Sequence, residues 1–339
     1  MLPATRRWSS LLVCALLLSG CGATVAPARQ GPAPNAAEFP ITLDNCGKQV
    51  TFEAPPNRVV SNDIGITEMM FALGLGDRMA GYIVSEGQNG GIESSPWRED
   101  FHRIPRLAED MSKEVVRAAN ADLVFAGWNY GFSESEGLTP ASLNELEIDS
   151  YLLTESCRNG VGDQRGIMPP IDALYTDLRN LGTLFGVPER AEALIAEYED
   201  TIARARFSGP DEARPSVFLY DSGTAQPVTS GNGGAADQII AEAGGTNIFT
   251  DMDDSWTSVG WESVVRADPE VILINDYAYK SDGSVQEKIE FLTSHPALAG
   301  VDAVQNRRFF ALPYAALVEG PRNPGAVADF AEYLRGLPN

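Results

Sequence analysis

Few residues of this chain stand at spacings that perform chemistry by themselves. Its two histidines, His102 and His295, lie in different halves, and neither sits in HExxH or another pair with zinc-ligand spacing. No GxSxG elbow occurs. Gly231, Gly233 and Ala236 fit G-x-G-x-x-A, with Asp251 further on. Ser222–Ser230 separate them from the preceding apolar run, whereas a pyrophosphate site needs such glycines directly at the strand end. Asp251, Asp253, Ser255 and Glu262 match four ligand positions of a calcium loop, yet Trp256 stands where its sharp turn requires glycine. A secreted hydrolase or oxidoreductase needs a nucleophile–base pair or a metal cluster. The sequence offers neither, so no catalytic residue, metal ligand or cofactor is expected.

What the chain does offer is binding chemistry. Trp97, Trp128, Tyr130, Tyr220, Trp256, Tyr277, Tyr279 and Tyr314 fall just after β-like runs or in loops. Ligands of α/β sheets bind outside the carboxyl ends of the strands. Aromatic walls there suit a bulky organic ligand. Arg106, Arg158 and Arg322 are candidate donors to ligand oxygens, because a guanidinium is a fixed fork of N–H groups.

Two glutamates mark a second pattern. Glu114–Gly127 (EVVRAANADLVFAG) and Glu262–Asn275 (ESVVRADPEVILIN) each pass from a glutamate through a helical run and a polar break into an apolar strand. The acid closing the break, Asp122 or Glu270, stands at the same offset in both copies. This predicts one helix-to-strand unit used twice.

The elements around these residues read as follows. Phe39–Ser61 predicts a hairpin and a strand, Ile66–Leu73 a helix, Ala80–Val84 a strand, and Asn89–Phe101 a polar loop. A helix near Thr139–Glu147 and a strand at Ser150–Leu153 follow the first copy. Alternation then stops. Ile171, Leu174, Leu178, Leu181 and Leu184, then Ala191, Leu194, Ile195, Tyr198 and Ile202, recur at helical spacing on either side of Gly186-Val187-Pro188. This predicts a rigid helical connector over 169–208 between an N-terminal αβ lobe (39–168) and a C-terminal αβ lobe (209–339). The second lobe opens on a strand at Ser216–Asp221 and a helix at Ala235–Ala243. It closes on a helix at Ser284–Leu292, a strand at Phe309–Leu312 and a helix at Pro324–Leu337.

With 339 residues the chain is long enough for two domains. Its formal charge of −22 argues against nucleic acid and against adhesion to anionic lipid. Arg6, Arg7 and the apolar Leu11–Leu18 predict a signal peptide over residues 1–20, too short to span a bilayer. Leu18-Ser19-Gly20-Cys21 resembles the bacterial lipobox, which implies cleavage before Cys21 and a lipid on its thiol. Residues 21–38, rich in Ala, Pro and Gly, read as the tether of that anchor. Export opens an oxidising compartment to Cys46 and Cys157, as a disulfide or as two buried thiols.

Arg58–Val84, Ser112–Gly127, Leu178–Glu199, Ser258–Asn275 and Phe309–Arg322 together resemble the solute-binding lipoproteins of ABC importers for ferric siderophores, haem and cobalamin. The resemblance implies two Rossmann-like αβ lobes joined by a long rigid helix, with the ligand held between them. It implies a monomer that performs no chemistry, lipid-anchored to the outer side of the cell membrane. Such a protein delivers a bulky iron chelate, or haem or cobalamin, to a permease dimer driven by its ATPase. Glu114 and Glu262 match the glutamates that dock each lobe on the permease. Tyr130 and Trp256 match pocket aromatics of hydroxamate-siderophore binders, and Arg106 stands near the family's ligand arginine at a different spacing from Glu114.

Overall fold

A computed structural model describes residues 39–338 except 86–87, 161–163, 208, 210–213 and 279–282. The signal peptide, the tether, Cys21 and Tyr279 lie outside the described residues. The described chain from Phe39 onward falls in one compact unit.

Fourteen strands are defined among the described residues. In the first half they are β1 (Ile41–Asn45), β2 (Lys48–Phe52), β3 (Val59–Asn62), β4 (Met79–Ile83), β5 (Arg106–Ala108), β6 (Leu123–Trp128), β7 (Gly131–Phe132) and β8 (Asp149–Leu152). In the second half they are β9 (Ser216–Tyr220), β10 (Val228–Thr229), β11 (Thr246–Asn247), β12 (Thr257–Ser258), β13 (Val271–Asp276) and β14 (Phe309–Pro313). A parallel sheet runs β5-β4-β3-β6-β7, with β8 also on β6. A second parallel sheet runs β11-β9-β13-β14.

Side-chain alternation sorts each sheet's residues between two cores. Val59, Leu123, Phe125, Val217, Leu219, Val271 and Leu273 enter one apolar cluster that is continuous across both halves. Their neighbours go to the opposite faces. Val60, Val124 and Ala126 join a cluster under the first sheet, and Phe218, Tyr220, Ile272 and Ile274 one under the second.

The connector consists of two helices, Pro170–Leu184 and Pro188–Ala205, about 22 and 27 Å long at 1.5 Å per residue. Each starts with a proline in its first turn, where no intrahelical N–H is lost. Gly186, at φ 68°, makes the left-handed turn between them. Ile171 N–H donates to Gln238 of the second half at 2.7 Å. Asn180 donates to Asp44 O and Tyr151 Oη of the first half, each at 2.9 Å. The second helix is held by Arg190 on Ala72 O at 3.0 Å and by Arg206 on Glu242 at 2.7 Å. Both helices thus run from one half to the other, packed on the shared core.

The β1–β2 hairpin is fastened to this frame. Cys46 and Cys157 form a disulfide, with Cα atoms 5.3 Å apart. Asn45 exchanges two 2.8 Å hydrogen bonds with the backbone of Leu152, covering polar groups of β8. One expectation is corrected here. Asn89–Phe101 is not a plain loop but holds the short helix Asn89–Glu93 and most of a second, Arg98–Arg103, in which Phe101 is fully buried against Phe71 and Tyr82.

Candidate ligand-binding site

The two glutamates occupy matching positions. Glu114 is the second residue of the helix Lys113–Ala118, and Glu262 the second of Trp261–Ala267. Both are exposed. Glu114 has its carboxyl held below the usual range by its own backbone N–H and by Ser112. Each helix ends at a residue of positive φ (Asn120 at 49°, Asp268 at 44°) before turning into a central strand, β6 or β13. The acid at the break does the same work twice. Asp122 accepts from the backbone N–H groups of Asn57 and Arg58 at 2.8 and 2.9 Å, at the start of β3. Glu270 accepts from Ser216 N–H at 2.8 Å, at the start of β9. The internal repeat is therefore structural as well as textual.

Strand order reverses between β3 and β6 in one sheet and between β9 and β13 in the other. Such reversal points open crevices at the carboxyl ends of the strands. The chain leaves these four strands into Asp63, Tyr130, Asp221 and Tyr277. Tyr277 donates to Asp221 at 2.9 Å and stacks on Tyr314 with ring centroids 4.9 Å apart. Tyr314 reaches across to the first half and donates to Asp63 at 2.7 Å. Gln88 donates to the same carboxylate oxygen at 3.2 Å. Burial pushes the Asp63 carboxyl up, and these donors partly offset it. Burial also raises the Tyr314 and Tyr130 hydroxyls well above their ordinary value, helped by Asp63 for the first and Glu155 for the second. Below Tyr277, Lys288 donates to the carbonyls of Asp221 and Asn275, and burial lowers its ammonium.

Ile64, Gln88, Gly91, Asp276, Tyr277, Tyr314 and Ala315 line a small, partly open pocket between the two halves, with room for about one water. Arg322 joins those halves. It forms a bidentate ion pair with the fully buried Glu68 and donates to Gly91 O at 2.8 Å. Behind it, Glu155 and Glu319 each accept the other's backbone N–H, at 2.8 and 2.7 Å.

The structure brings Tyr130, Trp256, Tyr277 and Tyr314 to the region between the lobes, and it sets most of the other predicted contacts elsewhere. Tyr220 lies on the outer face of its sheet, stacked on Phe291 and beside Trp261, because it shares parity with Phe218. Trp97 packs on the main core at the start of a short helix. Arg106 donates to Val84 O at 2.9 Å and faces Glu109. Trp128 carries the Arg158 guanidinium 4.0 Å from its ring centroid, and Arg158 pairs with Glu134 at 2.9 Å. Arg322 pairs with the buried Glu68 at the edge of the pocket, where it also meets the lining residue Gly91. Asp63, Gln88 and Arg165 were missed. Asp63 was findable, since it directly follows a strand. Arg165 carried no signal beyond its charge. His102 pairs with exposed Glu93, and His295 packs on Trp261, both away from the cavity. Among the described residues no cluster of His, Cys, Asp and Glu could hold a metal ion, and no helix is long and apolar enough to cross a membrane.

Comparison with known proteins agrees with this architecture. The chain is 22% identical over 335 residues to the uncharacterised ABC transporter substrate-binding lipoprotein YvrC of Bacillus subtilis, covering 96% of each. It is 26% identical over 229 residues to the vitamin B12-binding protein of Pectobacterium carotovorum, covering 65% of this chain and 72% of that one. The crystal structure of an ABC-type Fe3+-hydroxamate transport system protein from Saccharomonospora viridis shares the fold. Its TM-score is 0.72 at 23% identity, covering 88% of this chain and all of that one. Residues 59–316 match the sequence profile of periplasmic binding proteins, and on that match the chain belongs to the periplasmic binding protein family.

Proposed function

We propose that this chain is an extracytoplasmic substrate-binding lipoprotein that captures a bulky ferric siderophore-type chelate between its lobes and hands it to an ABC permease. The observation that carries this reading is the meeting of Tyr130 and Trp256 with the Tyr277–Tyr314 pair between two sheets, at the carboxyl ends of their strands. Flat apolar faces with polar rims hold a large organic ligand without reacting with it. A chelate satisfies the metal's coordination itself, so the protein need supply only walls and a few donors. Asp63, Glu155 and Asp276 lie close to this region. They disfavour a polyanionic ligand and suit a neutral trihydroxamate complex.

Glu114 and Glu262 are read as the docking points for the two permease subunits, one on each lobe. Their equal placement at exposed helix starts supports this pairing. Cys21 is read as the lipid-bearing residue that keeps the protein at the membrane, with residues 21–38 as its tether. A corrinoid ligand is the second reading, favoured by the similarity to the vitamin B12-binding protein.

The test is a tryptophan-fluorescence titration of the purified protein with a ferric trihydroxamate, ferric citrate, a ferric catecholate, haemin and cobalamin. Saturable one-to-one binding, tightest for the trihydroxamate, is expected. Tightest binding of cobalamin selects the second reading, and no response to any of the five overturns the functional class.

A further inference from the structure

We propose that Glu155, Asp177 and Glu319 form a pH-sensitive clasp where the two halves meet the connector, in which Glu319 carries a proton that it donates to Asp177. The three carboxyls come from three parts of the chain. Glu155 lies in the turn Thr154–Ser156 after β8, Asp177 on the connector helix Pro170–Leu184, and Glu319 in the second half after β14. All three are buried. Their donors differ. Asp177 is fully supplied, by Tyr151 Oη at 2.7 Å, by Thr154 N–H at 2.9 Å and by the Thr154 hydroxyl. Glu155 accepts the backbone N–H groups of Ala235 and Glu319 at 3.0 and 2.8 Å. Glu319 accepts only the Glu155 N–H among the described residues, on Oε2 at 2.7 Å. Its Oε1 is buried without a donor, and the Asp177 carboxyl stands within hydrogen-bond reach of Glu319. Two facing carboxylates both accept and neither donates, so a proton must lie between them. It belongs on Glu319, the carboxyl with the fewest donors.

The surrounding groups leave this arrangement in place. Asn180, further along the connector helix, donates to Tyr151 Oη at 2.9 Å, which turns that hydroxyl's own proton toward Asp177. Arg165 draws the Glu155 carboxyl down and Asp63 pushes it up, both less than burial does. The helix Ile64–Ala72 lies against Glu319, since a Cβ on Gly65 would come 2.7 Å from Glu319 O. The acids that this segment brings are engaged elsewhere, Asp63 by Tyr314 and Glu68 by Arg322. Burial raises the Asp177 carboxyl, and it raises Glu319 well above the ordinary range with Asp177 and Glu155 beside it. Because Glu155 and Glu319 hold each other's backbone N–H, one proton fastens both halves and the connector at a single point. Ionising Glu319 sets like charges against one another in a buried site and loosens that point. The junction is tightest in acid and slackens as pH rises above about 4.5 and through the raised value. This holds whatever ligand the cleft takes.

Infrared difference spectra and amide hydrogen exchange of the ligand-free protein test this. The Glu319→Gln amide donates to Asp177 and accepts the Glu155 N–H, so it keeps the clasp without the titrating proton. Wild type minus Glu319→Gln is expected to show the carbonyl band of a protonated carboxyl in mildly acidic solution, and the band should disappear as pH is raised. Protection of the Glu155 and Glu319 N–H groups, corrected for the pH dependence of free exchange, should fall about tenfold per pH unit above about 4.5. It should level off where the band disappears, and it should stay constant in Glu319→Gln. Absence of the band at every pH overturns the proposal. A band whose loss leaves protection unchanged, or a fall in protection that Glu319→Gln shares, overturns the clasp. Should Glu319→Gln fail to fold, Asp177→Asn decides. Its amide supplies the missing donor, Glu319 then ionises, and the band should be lost at a pH where wild type shows it. A band that persists in Asp177→Asn overturns the proposal.

Discussion

Arg322, expected to face a ligand, pairs with Glu68 across the two halves. Its guanidinium and the Glu68 carboxylate are buried together, and burial pushes Glu68 up while Arg322 draws it back. Removing one partner leaves a buried charge alone, which costs about 3–5 kcal/mol. Arg322→Ala should lose that much in urea unfolding, and the apolar pair Glu68→Leu with Arg322→Met should recover most of it. Glu319 gives a prediction of opposite character. Burial, with Asp177 and Glu155 close by, pushes its carboxyl well above the ordinary 4.5. The folded protein then holds this proton more tightly than the unfolded chain does. The stability it contributes is fully present below about pH 4.5 and is lost as pH rises through the raised value. Glu319→Gln should flatten the fall in unfolding midpoint as pH rises above about 4.5. At this scale the sequence was readable only in part. Strand parity within SVFLY already placed Tyr220 with Phe218 and away from Tyr277. The partner of Arg322 lies 254 positions away, and no local pattern announces it.

Elements were far more legible than side chains, because periodicity and capping act locally. The helix Ala235–Ala243 and the breaker Gly186-Val187-Pro188 fall where the sequence predicts them. The paired helix-to-strand units fold alike down to the acid that clamps the neighbouring strand. What escaped was structure created by packing. Asn89–Phe101 reads as a loop because it is polar and carries Gly and Pro. It becomes helical where Phe101 inserts between Phe71 and Tyr82. Also at this scale, the hairpin β1–β2 depends on its covalent link. Cys46 and Cys157 are 111 positions apart, and closing so long a loop stabilises by up to about 4–5 kcal/mol in the chain-entropy model. The Cys46→Ala, Cys157→Ala variant should lose a large part of that in chemical denaturation. Reductant should lower the wild-type midpoint to the same level and leave the variant unmoved.

Over the whole molecule, one continuous core under both sheets and two helices running between them give the lobes a stiff backbone. The ligand-bearing side is different in kind, held by aromatic stacking, single hydrogen bonds and one ion pair. The pocket between the halves has room for about one water. On the proposed reading, a bulky chelate enters as these contacts part, while the two helices hold Glu114 and Glu262 at a fixed spacing. If delivery works through that spacing, capture and transfer are separable, because neither glutamate takes part in the contacts that close the cleft. The most direct measurement is uptake of a radiolabelled ferric trihydroxamate by cells carrying Glu114→Arg with Glu262→Arg, with affinity of the purified variant measured alongside. Uptake reduced to that of cells lacking the protein, with affinity within about twofold of wild type (well under 1 kcal/mol), is the predicted result. Undiminished uptake by the double variant would contradict the account.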